Sequence, residues 1–260
     1  MKSEARPDSF EVSCNFERLA KSYDDFHQAH SHFVDLLLQK HSLSVDSVVA
    51  DFGCGTGNET VEIFKRVGCT TFGLDPSPEM LNEARAKTAE ITWLEASAEE
   101  TGLPGESMDA VTAFFSVHHF QNLSSWATET HRVLKEGGRC FVFSISHEQM
   151  RESLEYRFFP DLLEHDLARV PSLVKIEDEL QHRGFEVSQE KIPYETRIID
   201  EDYIEMVRNR YRSGFQALSD TQIERGIQRI KENLASSSFL IDPIRCTVLV
   251  AQKGTTPRSG

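Results

Sequence analysis

The run Asp51-Phe52-Gly53-Cys54-Gly55-Thr56-Gly57-Asn58 restricts what this chain can fold into more than any other segment. Its glycines alternate at positions 53, 55 and 57, after a short β-type run, Ser47-Val48-Val49-Ala50-Asp51-Phe52, and before a helical stretch from Glu59 to Val67. Glycine lets the backbone turn sharply at positive φ and lets a ligand approach without meeting a Cβ. A strand, a glycine loop and a helix in that order make a setting for nucleotide-type ligands, with a ligand-free tight turn as the competing reading. Two variants of the setting can be excluded. A dinucleotide fingerprint requires glycine at position 58, where this chain has Asn58, which disfavours a nicotinamide oxidoreductase. A phosphate-binding P-loop requires Gly-Lys-Ser/Thr, which does not follow.

The pattern around the loop extends the expectation. Strand-like runs at Thr70–Asp75, Ile91–Leu94, Ala110–Phe115 and Arg139–Ser146 alternate with helical runs at Pro78–Lys87 and Trp126–Leu134. Such alternation indicates a parallel sheet with right-handed crossovers. Upstream, Phe16, Leu19, Ala20, Tyr23, Phe33, Leu36 and Leu37 recur at helical spacing. After Ser146 the alternation weakens: residues 148–184 read as helical with breaks at Phe158-Phe159-Pro160 and Arg169-Val170-Pro171, then Phe185–Arg197 as a strand. Glu201–Leu218 and Thr221–Ala235 read as two helices, and Cys246–Ala251 as a last strand. The expected organisation is a core over residues 10–147 with N-terminal cap helices, lid helices and a late strand over 148–240, and a final core strand over 241–253.

Charge and cysteine content limit the partners. With 28 basic against 42 acidic side chains the formal charge is −14, so the surface repels phosphate backbones and anionic lipid. The expectation is no nucleic-acid and no membrane partner, and a monomer or homodimer. The cysteines, Cys14, Cys54, Cys69, Cys140 and Cys246, show no metal-ligand spacing, so no metal is expected and reduced thiols are. The opening MKSEARPDSFEV lacks a signal-peptide core, and no run approaches the ~18 apolar residues of a membrane helix. A cytoplasmic location is expected.

The loop Asp51-Phe52-Gly53-Cys54-Gly55-Thr56-Gly57-Asn58 resembles the first motif of the class I, Rossmann-like S-adenosylmethionine-dependent methyltransferases, small-molecule type. The resemblance is good over residues 10–147 and loose beyond. It implies an α/β fold: a seven-stranded, mostly parallel sheet with helices on both faces and a helical lid inserted among the late strands. It also implies S-adenosyl-L-methionine as cofactor. By the same resemblance Asp51 lies near the cofactor's cationic methionine end, and the loop backbone from Gly53 through Cys54 to Gly55 packs on that end and the ribose. Asp75 ends the second strand, where a carboxylate can accept both ribose hydroxyls. The segment Asp75-Pro76-Ser77-Pro78-Glu79-Met80-Leu81 is similar to the family's run in which the methionine packs on the adenine. Ser97-Ala98-Glu99 stands where the family has Asp-Ala-Glu beside the adenine amine, so a hydroxyl replaces the charge-assisted acceptor. The backbone at Phe114 and Phe115 is implied to hold the cofactor's ammonium group. Phe16-Glu17-Arg18-Leu19-Ala20-Lys21-Ser22-Tyr23-Asp24 resembles the family's pocket cap, with Tyr23 either over the cofactor or packed in a helix.

The implied chemistry starts from a methyl group already activated on a sulfonium. The protein must align an acceptor and exclude water, and needs a base only if the acceptor is protonated. His118 and His119 are the candidate bases at the cleft mouth; structural hydrogen bonding is their other reading. Arg208-Asn209-Arg210-Tyr211-Arg212 adds cationic side chains to an acidic chain, and Arg169 and Arg197 lie in other late segments. Inward-facing guanidinium groups, with Arg208, Arg210 and Tyr211 foremost, would bind a carboxylate-bearing or amino-acid-like acceptor. The competing reading is surface pairing with Glu201, Asp202 or Glu205. Tyr156, Phe158, Phe159, Tyr194, Tyr203 and Phe215 fit either an apolar cavity or core packing. The function expected is methyl transfer to a small carboxylate- or amine-bearing molecule. The alternatives are intramolecular attack on the cofactor's aminobutyrate chain and a non-catalytic cofactor-binding protein.

Overall fold

The computed structural model describes Asp24 and residues 29–254. Strands β1 (Val48–Phe52), β2 (Thr70–Asp75), β3 (Thr92–Glu95), β4 (Met108–Phe114), β5 (Leu134–Ser144), β6 (Phe185–Ile199) and β7 (Leu240–Lys253) form one sheet in the order β3-β2-β1-β4-β5-β7-β6. The pairs among β1 to β5 are parallel, and β7 runs antiparallel to both β5 and β6. This is the seven-stranded, mostly parallel α/β sheet expected from the sequence. The strand order reverses between β1 and β4, so the loops after β1, β2 and β4 open onto one crevice at the carboxyl edge, where α/β sheets bind ligands.

Alternation of side chains along the strands builds a core on each face. Ala50, Val111, Val142 and Leu249 point to one face, with Trp126 and Ala127 of α4 (Leu123–Val133) and Ile176 and Leu180 of α8 (Leu173–His182). Val49, Ala110, Phe141 and Val248 point to the other, with Phe33, Val34 and Leu37 of α1 (Ser31–Lys40) and Ile63 of α2 (Asn58–Val67). α3 (Pro78–Lys87) begins with Pro78 in the first turn, after Ser77 accepts a hydrogen bond from the Met80 amide.

A third apolar cluster lies among the later helices and includes Ile199 of β6, with Leu240 of β7 packed against it. It joins α5 (His147–Glu152), α6 (Leu154–Phe158) and α7 (Pro160–Arg169) to α9 (Glu201–Arg208), α10 (Ser213–Gln216) and α11 (Asp220–Leu234). Phe158, Phe159 and Phe215 are buried within it, so these aromatic side chains pack the core. The single helix expected over Glu201–Leu218 is instead two, because Arg210 adopts φ +53° and ends the helical path. The last strand starts at Leu240, earlier than expected, and pairs with β6 as far as Ile199.

Candidate active site

One cavity of about 610 Å³ opens between the carboxyl edge of the sheet and the helices of the third cluster. Its sheet end is built by the glycine loop. Gly53, Gly55 and Gly57 all have positive φ, but for different reasons. A Cβ on Gly53 would stand 2.6 Å from Ser116 Cβ, and one on Gly57 would stand 2.4 Å from the Trp93 ring. These two positions let the loop pack against its neighbours. A Cβ on Gly55 would meet nothing within 4 Å, because that position faces the open cavity.

Two carboxylates frame the loop. Asp75 accepts the Gly55 amide on Oδ2 and the Ser77 amide on Oδ1, both at 2.9 Å, and each oxygen retains a lone pair for a further donor. Asp51 lies deeper, accepting the hydroxyls of Thr60 at 2.5 Å and Thr112 at 2.8 Å. Burial, with Glu59 and Asp75 nearby adding repulsion, pushes its carboxyl up to about 7. A cationic ligand beside Asp51 would relieve that repulsion. An exposed glycine backbone, a carboxylate with free acceptor capacity for a diol, and a buried acid favouring a cation suit S-adenosylmethionine. Met80, Phe114 and Phe115 complete this end of the wall. Phe115 has φ +50°, rare for a bulky side chain, and its ring stacks on Tyr194 with centroids 4.6 Å apart.

The 3-10 turn Val117–His119, after β4, brings His118 and His119 to the cavity with ring centroids 4.1 Å apart. Burial, then the neighbouring His119 and Arg169, hold His118 well below the ordinary imidazole range. His119 is more open to solvent and is lowered in the same direction, by partial desolvation and then by Arg169. Both are therefore neutral at pH 7, hydrogen-bond acceptors of low basicity.

The far end is an ionic cluster anchored by the helices. Asp242 of β7 accepts the Ser153 hydroxyl at 2.7 Å and the Leu154 amide at 3.0 Å, which fixes the start of α6 and with it Glu155. Glu155 accepts the hydroxyls of Tyr203 and Tyr211, each at 2.6 Å, and pairs with Arg197 and Arg212. These two guanidinium groups and the tyrosine hydroxyls outweigh burial and lower its carboxyl to about 2. Asp166 accepts from Tyr156 at 2.9 Å and Arg212 at 3.0 Å and also contacts His165 and Arg169, so its carboxyl too lies far below the usual range.

The cavity gathers Asp51, Gly53, Cys54, Gly55, Asn58, Asp75, Met80, Phe114, Phe115, His118, His119 and Tyr211 from the sequence-level candidates. Asn58 is held by Asp24 and Lys87 on either side of its amide. Pro76 is exposed and off the cavity wall. Ser97, Ala98 and Glu99 also lie off it: Ser97 Oγ accepts the Glu100 amide, Ala98 is buried in the core, and Glu99 accepts the Asn122 amide. Tyr23 lies outside the described residues.

The acceptor-side expectation needs correction. Arg208 is exposed and pairs with Glu205 and Glu224, which is the surface pairing weighed against it. Arg210 donates to the carbonyls of Phe215 and Leu218 and to Asp220, closing the α9–α10 connection. The turn at Arg210 breaks the helical register, so Arg212, not Arg208, shares the cavity wall with Tyr211. Arg197 and Arg169 also line the cavity, as do Tyr156, Tyr194 and Tyr203. Glu155 and Asp166 were not anticipated; each stands in a helix with no local pattern marking it.

Comparison with known proteins gives consistent relatives. Residues 50–142 match the family model described as a methyltransferase domain. A demethylmenaquinone methyltransferase from Tropheryma whipplei is 30% identical over 172 residues, covering 63% of this chain and 70% of that protein. One of the same name from Chlorobaculum tepidum is 34% identical over 117 residues; the match spans 44% of this chain and 48%, about half, of that relative. Among solved structures, a candidate methyltransferase of an antibiotic biosynthesis pathway from Anabaena variabilis shares the fold with a TM-score of 0.69. It is 22% identical, and the superposition covers 84% of this chain and 96% of that one.

Proposed function

The chain belongs to the class I, Rossmann-like S-adenosylmethionine-dependent methyltransferases, and we propose that it methylates a small molecule bearing a carboxylate or an amine. The observation that carries this reading is the two-ended cavity. One end presents a glycine backbone with Asp51 and Asp75, the other holds Arg169, Arg197, Arg212 and three tyrosines, and His118 and His119 line the same cavity. A volume of about 610 Å³ is within the range of small-molecule sites and leaves limited room beyond the cofactor.

When bound, S-adenosylmethionine supplies a sulfonium methyl group, so that a bond from the acceptor's nucleophile to carbon forms as the sulfur–carbon bond breaks. The protein's own residues supply positioning and proton transfer. Asp75 takes hydroxyl donors, and the backbone at Gly55 gives close access. Asp51 favours a cation at the loop. The neutral imidazoles of His118 and His119, lowered in basicity, accept the proton of a hydroxyl as its oxygen becomes methylated, or the hydrogen bond of an amine that binds already neutral. Phe115, stacked on Tyr194, excludes water from the reacting atoms, and Met80 lines the cofactor end.

The test is a turnover assay with a panel of small carboxylates, amines and hydroquinones, the last because the relatives' names specify demethylmenaquinone. Acceptor-dependent release of S-adenosylhomocysteine is expected with carboxylates or amines. For a protonated acceptor, His118→Gln with His119→Gln should lower kcat by about 10²-fold or more. Turnover with hydroquinones alone would overturn the acceptor assignment.

A further inference from the structure

The ionic cluster at the helical end of the cavity is unevenly satisfied. Arg212 is fully engaged: Nε donates to Glu155, Nη1 to Asp166 at 3.0 Å, and Nη2 to Glu155. Arg197 holds Glu155 with Nη1 at 3.0 Å and Glu195 with Nη2. Arg169 differs. Its one hydrogen bond among the described residues is a long one, 3.4 Å from Nη2 to Asp166 Oδ1. Its Nε is buried and has no partner among the described residues. Asp166 cannot hold it more firmly, because Tyr156, His165 and Arg212 already occupy that carboxylate. Buried guanidinium donors are normally satisfied, and a guanidinium so loosely held on a cavity wall marks the place of an acceptor atom.

The neighbours of Arg169 specify that atom. Arg169 lines the same cavity as His118 and His119, near enough for its charge to act on both imidazoles. The imidazoles cannot neutralise it, and Glu155 and Asp166 are committed elsewhere. A guanidinium held by one long bond on the cavity wall can turn its planar edge to a carboxylate, which it binds bidentately.

We propose that Arg169 is the acceptor's anchor, pairing with the carboxylate of an amino- or hydroxy-acid whose amine or hydroxyl then lies beside His118 and His119. This rests on the methyl-transfer reading and narrows its acceptor to molecules carrying both groups. Arg169 binds and orients; an imidazole takes the proton of a hydroxyl as its oxygen is methylated, whereas an amine binds neutral, donates a hydrogen bond to the imidazole and loses its proton to solvent after transfer.

The experiment is calorimetric titration of the protein loaded with S-adenosylhomocysteine. The probes are the common amino acids, lactate and malate, the matching amines and alcohols without the carboxylate, and inorganic phosphate. At least one carboxylate should bind, and its carboxylate-free partner should bind about 10-fold to 100-fold more weakly. Arg169→Gln should erase that difference while S-adenosylhomocysteine affinity stays within about twofold. If Arg169→Gln does not fold, Arg169→Lys serves: it keeps the charge but not the fork, and should weaken the carboxylate about 10-fold. A preference for the carboxylate that Arg169→Gln leaves intact, or a carboxylate affinity that Arg169→Lys leaves unchanged, overturns the proposal. So does binding of phosphate with no carboxylate, or of no carboxylate at all. Failure to bind S-adenosylhomocysteine would instead remove the underlying methyl-transfer reading, before any acceptor is tested.

Discussion

At the scale of single residues, the loop makes two sharp demands. Gly55 adopts φ +54° over open cavity, so a methyl group there strains the backbone and fills ligand space without striking protein. Gly55→Ala should cost about 1–2 kcal/mol of stability but reduce S-adenosylmethionine affinity more than tenfold, measured by denaturation and by calorimetry. Equal affinity would mean that the ligand does not pass over this position. Asp51 makes the second demand. Its folded pKa, about 7, is above the unfolded value near 3.9. A raised carboxyl gives a contribution that is complete below pH ~4 and is lost as pH rises through ~7. Asp51→Asn should therefore gain stability relative to the native chain between those limits, as followed by urea unfolding across pH. A cation arriving beside Asp51 lowers its pKa again. Cofactor binding at pH 7 should release up to roughly half a proton, seen as a buffer-dependent enthalpy that disappears in Asp51→Asn. An enthalpy independent of buffer would separate Asp51 from the cationic end of the ligand.

At the scale of elements, the site depends on α6 being held by Asp242 so that Glu155 enters the arginine and tyrosine cluster. Removing that carboxylate leaves Arg197 and Arg212 without their main counter-charge. Glu155→Ala should cost about 3–5 kcal/mol and loosen α6, α9 and α10 together, with faster amide exchange in all three. Exchange confined to α6 would show that the cluster does not couple them. The carboxyl of Glu155 is lowered to about 2, so its stabilising share is present above pH ~4.5 and lost as pH falls toward 2. These elements also mark where sequence reading stops. The loop is legible because glycines at 53, 55 and 57 are needed for local backbone geometry, whatever surrounds them. The arginine run is not, because its register depends on a helix that ends at Arg208 and turns at Arg210. Arg169, Arg197 and Arg212 come from three segments, and only tertiary packing sorts them into one loosely held guanidinium and two committed ones.

At the scale of the whole molecule, the sheet and the third apolar cluster divide the work. The reversal of strand order at β1 and β4 fixes one end of the cavity, and the helices after β5 and β6 fix the other. The strands, loops and helices of the sheet end are legible in residues 48–119 because each announces itself locally, but Pro76, Ser97, Ala98 and Glu99 lie off the cavity. The helical end is not legible, since Glu155 and Asp166 gain meaning only when β7, α6 and α10 meet. Among the described residues no helix is long and apolar enough to cross a membrane. The central claim is that a cofactor held by the loop directs its sulfur toward the chamber lined by His118, His119 and Arg169. A crystal structure with S-adenosylhomocysteine bound tests it most directly. The expected result has the ribose on Asp75, the methionine end near Asp51, and the sulfur facing the two histidines. A ligand lying elsewhere, or with its sulfur turned away from that chamber, would contradict it.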